Sequence, residues 1–111
     1  MRLTLLLLLI LLLPLAEARH ASERQSVLNM IDTLRPVRPS PEYFEAAQRM
    51  AMSDANYFFD KKSCASLERF DKSLLFLGEE AGYTIKYTNR SIRQYKQLLF
   101  YIKASYIRLG C

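Results

Sequence analysis

Two cysteines, Cys64 and Cys111, are the only ones in the 111-residue chain and lie far apart in it. In an oxidising compartment such a pair of thiols joins by default. A bridge would hold the middle of the chain against Cys111 and contribute roughly 4 kcal/mol by the chain-entropy estimate. We expect it to form within a monomer. The alternative is a bridge between two copies, which would give a disulfide-linked dimer.

The N-terminal stretch has the features of a secretory signal peptide. Arg2 precedes an apolar block from Leu3 to Leu13, and a small-residue pattern then ends at Ala18. The block is shorter than the roughly 20 residues that a membrane-spanning helix needs. We therefore expect a signal peptide at residues 1–18 and a secreted, extracellular protein. An uncleaved membrane anchor is the alternative.

The rest of the chain, residues 19–111, is enough for a single domain. Cap residues, prolines and apolar positions at helical spacing predict four helices joined by short connections. Their expected bounds are 23–34, 41–60, 64–77 and 90–109, with a linker at 35–40. We therefore predict an all-α fold, a small up-down four-helix domain stapled by one disulfide.

The third helix has clear start and stop signals. Ser63 can cap its N-terminus, and Gly78 is a natural stop at its C-terminus. Four apolar residues at helical spacing should face the core: Leu67, Phe70, Leu74 and Leu77.

The expected bridge also restricts where the last helix begins. Segment 79–89 is ambiguous, because part of it alternates as a strand does but no other segment offers a strand partner. If the last helix began near Gly82, its rise of about 1.5 Å per residue would carry it roughly 20 Å past Cys64. A disulfide needs α-carbons within about 7 Å. We therefore place a break in the chain near Asn89.

The segment from Asn89 to Cys111 has strong apolar periodicity. Alternating spacings of three and four residues predict the seam that faces the core. The predicted seam residues are Ile92, Tyr95, Leu99, Ile102, Tyr106 and Leu109.

A second face of this helix is the candidate partner-binding site. Three further apolar residues point away from the seam, and two arginines lie beside them: Phe100, Tyr101, Ile107, Arg93 and Arg108. Aromatic residues and arginine are enriched at the energetic centres of protein interfaces. The alternative is that the helix is central in the bundle, with all these apolar residues in the core.

The excess positive charge lies in the same part of the chain. Segment 19–80 carries nine basic and ten acidic residues, whereas 81–111 carries six basic residues and no acidic one. This distribution suits an acidic protein surface and allows weak association with anionic membranes. The net charge of +5 is too modest, in a secreted protein, to favour nucleic acid as a partner.

Two short motifs are candidate modification sites. Asn89-Arg90-Ser91 is an N-glycosylation sequon, which predicts a glycoprotein and exposure at the start of the last helix. The alternative is that Asn89 only caps that helix. The dibasic pair Lys61-Lys62 is a candidate processing site. Its alternative is a solvated helix end, which the helix dipole favours.

Signs of catalysis are missing from the sequence. The only histidine is His20, and no pattern of a metal site, activated nucleophile or phosphate loop occurs. We therefore expect no enzyme activity, no metal and no cofactor.

The functional prediction is a secreted small helical ligand or modulator. It would bind an extracellular or cell-surface protein, in the manner of a hormone or cytokine, an analogy that rests on fold class and location. One alternative is a basic amphipathic protein active in host defence or at membrane surfaces. Another is a prohormone-like precursor processed after Lys62.

Overall fold

A computed structural model describes residues 22–35, 42–80 and 89–111. These residues form four α-helices: α1 (22–32), α2 (Glu42–Lys61), α3 (Cys64–Leu75) and α4 (Asn89–Leu109). A π-helical turn, Phe76–Glu80, continues α3. The described residues contain no strand, and the predicted all-α fold is confirmed. The predicted signal peptide, most of the predicted linker and residues 81–88 lie outside the described residues.

The four helices run up and down, each antiparallel to its neighbours. Arg24 at the start of α1 donates a 3.0 Å hydrogen bond to Asn56 near the end of α2. Glu23, also at the start of α1, accepts a 2.8 Å hydrogen bond from Tyr101 in the C-terminal half of α4. α3 in turn adjoins both α2 and α4. α1 contacts α2 and α4, and α3 contacts the same two helices. α2 and α4 therefore occupy opposite corners of the bundle.

The Cys64–Cys111 disulfide joins the start of α3 to the end of α4, as predicted, with α-carbons 5.8 Å apart. The bridge is intramolecular, which the antiparallel packing of α3 and α4 makes geometrically natural. Gly110 has a left-handed φ of 72°, a conformation that suits glycine after a helix. The backbone N–H of Cys111 then donates to Tyr106 O at 3.0 Å, which turns the chain back toward α3.

α3 begins and packs as the sequence predicts. Ser63 Oγ accepts a hydrogen bond from the backbone N–H of Ser66, and Ser66 Oγ accepts one from the backbone N–H of Ser63, both at 3.1 Å. This reciprocal pair satisfies two backbone donors that the first turn would otherwise leave without partners. The four predicted core residues are fully buried: Leu67, Phe70, Leu74 and Leu77.

α2 packs closely because its core-facing side combines small and aromatic residues. Ala47, Ala51 and Ala55 are buried at intervals of four, so neighbouring helices can approach its backbone. Phe58 fills the space beyond them and stacks on Phe70 of α3, with ring centroids 6.4 Å apart. Burial of one such aromatic side chain contributes about 1.5–3 kcal/mol.

The prediction that Gly78 stops the third helix is wrong, because helical structure continues through it to Glu80 as the π-helical turn. The glycine is needed for close approach instead. The Tyr95 ring of α4 packs against its α-carbon, and a Cβ atom added there would overlap that ring. The Tyr95 hydroxyl lies 3.4 Å from the carbonyl oxygen of Leu74.

Replacing Gly78 by alanine should therefore destabilise the domain, although glycine in an exposed helix normally costs about 1 kcal/mol relative to alanine. The new methyl group would displace the Tyr95 ring, and such overpacking typically costs about 1–3 kcal/mol. Denaturant unfolding measures the free-energy difference. In a Tyr95→Ala background the same substitution should be neutral or stabilising. A gain in stability in the wild-type background would contradict the contact.

Candidate functional site on the last helix

The core-facing side of α4 differs from the predicted seam. Leu98, which is not in that seam, is fully buried, and Ile102 is 3 % exposed. Two predicted seam residues, Ile92 and Leu109, are instead 39 % and 38 % exposed. The remaining seam residues are partly buried: Tyr95, Leu99 and Tyr106. The buried face is thus rotated around the helix axis from the predicted one.

Two buried serines lie on the side of α4 that the predicted seam left out. Ser91 and Ser105 are each 1 % exposed and lie on the same side of α4 as Leu98. Ser91 Oγ accepts a 2.8 Å hydrogen bond from the backbone N–H of Arg35, and Ser105 Oγ donates one of 2.8 Å to Tyr101 O. Because both hydroxyls have protein partners, their burial leaves no unpaired polar group. A seam drawn through apolar residues alone misses this side.

The opposite side of α4 carries two large apolar side chains in solvent. Phe100 is 73 % exposed and Ile107 is 75 % exposed. They are seven residues apart, about two helical turns, and therefore share one face. The structure places both away from the core, as predicted, and the alternative that they are core residues is wrong.

Three exposed cations lie among these apolar residues. We call the whole set the outer face of α4: Ile92, Arg93, Lys96, Phe100, Lys103 and Ile107. In the part of the chain that the structure describes, the ion pairs involve other cations: Arg24, Arg69, Lys72 and Arg108. α4 contains no acidic residue. The outer face therefore combines exposed apolar area with uncompensated positive charge.

Tyr101 and Arg108 lie between α4 and α1 and do not belong to the outer face. Tyr101 is half-buried, and its ring packs against Phe59 with 6.2 Å between centroids. Arg108 lies 5.7 Å from the centre of the Tyr101 ring and 3.6 Å from Glu23 Oε1. A cavity of about 200 Å³ adjoins this cluster. The prediction that Tyr101 points away from the core is thus corrected, because Glu23 and Phe59 hold it within the bundle.

Two tyrosine hydroxyls on α4 have a raised pKa. Burial raises the pKa of Tyr101 to about 12, assisted by the hydrogen bond to Glu23 and its charge and opposed by Arg108. Burial likewise raises the pKa of Tyr106 to about 12, assisted by its 3.1 Å hydrogen bond to Asp71 on α3. In both cases the carboxylate accepts a hydrogen bond from the neutral tyrosine hydroxyl and would repel the negative charge of a tyrosinate.

The two tyrosines should lower stability at high pH. Their folded-state pKa lies above the unfolded value of 10.0. The stability that the two neutral hydroxyls give the folded domain is therefore fully present below pH 10 and is lost as the pH rises toward 12. Ring-carbon NMR titration of assigned tyrosines measures each pKa. Glu23→Gln should lower the pKa of Tyr101 and leave Tyr106 unchanged, and Asp71→Asn should do the reverse. Ionisation of both rings near pH 10 would contradict these contacts.

The two candidate modification motifs lie at opposite ends of the bundle. Lys61 ends α2, and Lys62 adopts a left-handed φ of 48° in the turn before α3. Both cysteines follow Lys62 in the sequence, so cleavage there would separate α1 and α2 from the bridged pair α3 and α4. Asn89 is the first residue of α4, and its side chain lies outside the described part of the structure.

A second exposed strip, on α2, was not predicted from the sequence. Tyr43, Met50 and Tyr57 recur every seven residues and are 46 %, 55 % and 42 % exposed. Arg69 of α3 lies 5.3 Å from the centre of the Tyr57 ring and forms a 2.9 Å ion pair with the buried Asp54. The repeat of seven is visible in the sequence, but it does not distinguish a core face from a solvent face. Because α2 and α4 occupy opposite corners, this strip faces a different direction from the outer face.

The described ranges contain neither a candidate metal site nor a membrane-spanning helix. These residues include no group of three or more acidic, histidine or cysteine side chains that could hold a metal ion. None of the helices among them has both the length and the apolar character needed to cross a bilayer. Comparison with protein families, with curated proteins and with solved structures finds no match to this chain.

Proposed function

We propose that this chain is a secreted helical ligand that binds an extracellular or cell-surface protein through the outer face of α4. The observation that carries the proposal is the exposure of Phe100 and Ile107 on one side of a helix whose other side is in the core. Exposed side chains of this size occur singly on many proteins. Two on one face, flanked by Arg93, make a compact patch of the residue types enriched at interface centres.

The charge of this surface indicates the chemistry of the partner. Lys96 and Lys103 lie beside Phe100, and α4 has no carboxylate to compensate them. An acidic partner surface would gain both steering and selectivity from these cations. The partner of this proposal is therefore a protein with a hydrophobic depression surrounded by Asp and Glu residues.

Two observations support action outside the cell. The N-terminal sequence has the features of a signal peptide. The intramolecular Cys64–Cys111 bridge is compatible with an extracellular protein, because such bridges persist mainly in oxidising compartments. A small helical domain with a covalent staple suits a diffusible ligand. It needs no cofactor in this proposal, and the chain acts as a whole without cleavage at Lys62.

Cell-binding measurements test the proposed surface. Labelled protein should bind responsive cells saturably, and the double variant Phe100→Ser/Ile107→Ser should weaken binding by at least about tenfold, since interface centres lose about 2 kcal/mol or more per truncated side chain. The matched control is Tyr43→Ser/Met50→Ser, which removes two large side chains that are about half-exposed on α2. Loss of binding in the α2 variant and full binding in the α4 variant would refute this choice of surface.

An anionic membrane is the second candidate partner, because the same exposed apolar residues lie beside lysines. Co-sedimentation of the folded protein with phosphatidylserine vesicles separates the two partners. A receptor ligand should bind protease-treated cells poorly and bind neutral and anionic vesicles equally weakly. A membrane-active protein should bind both kinds of cell and favour the anionic vesicles.

A further inference from the structure

A polar groove runs between α1 and α4, apart from the apolar residues of the outer face. Its volume is about 600 Å³, and most of its lining consists of neutral hydroxyl and amide side chains: Ser22, Gln25, Ser26, Asn29, Thr33 and Gln94. Met30 and Arg90 also line the groove, and none of its lining residues among the described ranges is a carboxylate. A groove of this composition offers hydrogen-bonding side chains alongside apolar surface.

One acceptor in this groove lacks a hydrogen-bond partner. Gln94 Oε1 is buried, and no donor among the described residues reaches it. A buried acceptor without a donor is costly, so a rotation of the Gln94 side chain that exposes Oε1 to a ligand hydroxyl or amide in the groove would recover that cost. The unmet acceptor therefore favours a ligand that can donate a hydrogen bond.

A line of cations leads from the groove across the surface of α4. Arg90 lines the groove itself, and Arg93, Lys96 and Lys103 follow along the helix. All four are exposed, and none is in an ion pair within the described part of the chain. At about 1.5 Å per residue they extend over roughly 20 Å. Such a line matches a linear polyanion better than a single charged group.

We propose that the groove and this cationic line together bind a sulfated polysaccharide. Sulfate groups would pair with the cations, and sugar hydroxyl and amide groups would donate to Gln94 Oε1 and bond the other polar side chains of the groove. A membrane surface would use Phe100 and Ile107 and gain nothing from the amides of the groove. The inference rests on the extracellular location in the proposed function. It shares Arg93, Lys96 and Lys103 with that function, but it needs neither a receptor nor the apolar residues Phe100 and Ile107.

Affinity for a heparin hexasaccharide tests the proposal. The variant Arg93→Gln/Lys96→Gln/Lys103→Gln should bind about tenfold or more weakly at physiological salt, because each lost contact also forfeits counterion release along a linear polyanion. The matched control, Arg49→Gln/Lys61→Gln/Lys72→Gln, removes the same charge from exposed positions on α2 and α3. It should retain most of the affinity. Equal loss in the two triple variants would overturn the proposal.

A neutral variant separates sugar recognition from attraction between charges. Asn29→Ala/Gln94→Ala keeps the net charge and should weaken hexasaccharide binding about fivefold or more through lost hydrogen bonds. The same variant should bind polyglutamate like the wild type. Unchanged hexasaccharide affinity would overturn the proposal. The variant Phe100→Ser/Ile107→Ser should keep its heparin affinity whether or not it binds cells, so the receptor and polysaccharide proposals can fail independently.

Discussion

The disulfide between Cys64 and Cys111 fixes the register of α3 against α4, and the rest of the bundle depends on that register. It holds the start of one helix beside the end of the other, with α-carbons 5.8 Å apart. With this end fixed, Tyr106 meets Asp71 and Tyr95 meets Gly78 further along the same pair of helices. A slip of one helical turn, about 5.4 Å, would break all of these contacts together. The bridge therefore selects one arrangement and also limits the unfolded chain.

The sequence predicts the backbone of the bundle well, because its signals there are local. The Ser63 cap, the buried face of α3 and the pairing of the cysteines each follow from residue type and spacing, and each is present in the structure. The role of Gly78 could not be predicted in this way. Its reason is a ring on a distant helix, Tyr95, which no local pattern reveals.

The candidate site was predicted only in part for the same reason. Phe100 and Ile107 are exposed as expected, but Tyr101 is held by Glu23, a residue that the sequence places far from it. Apolar periodicity alone could not identify the side of α4 that faces the core. Ser91 and Ser105 are buried on that side, and hydrogen bonds satisfy their hydroxyl groups. The polar groove is formed by two helices from different parts of the chain. Only their packing makes it visible.

The bridge has a further consequence for how the domain opens. Both of its cysteines lie at the end where α1 begins and α4 ends, so that end carries a covalent tie. At the other end, the contact between α1 and α4 includes the hydrogen bond from Arg35 to Ser91. Local opening is cheapest where only non-covalent contacts must break. Amide hydrogen exchange in α4 should therefore slow progressively from its first turn toward its last buried turns. The domain opens first at the end that is farther from the disulfide.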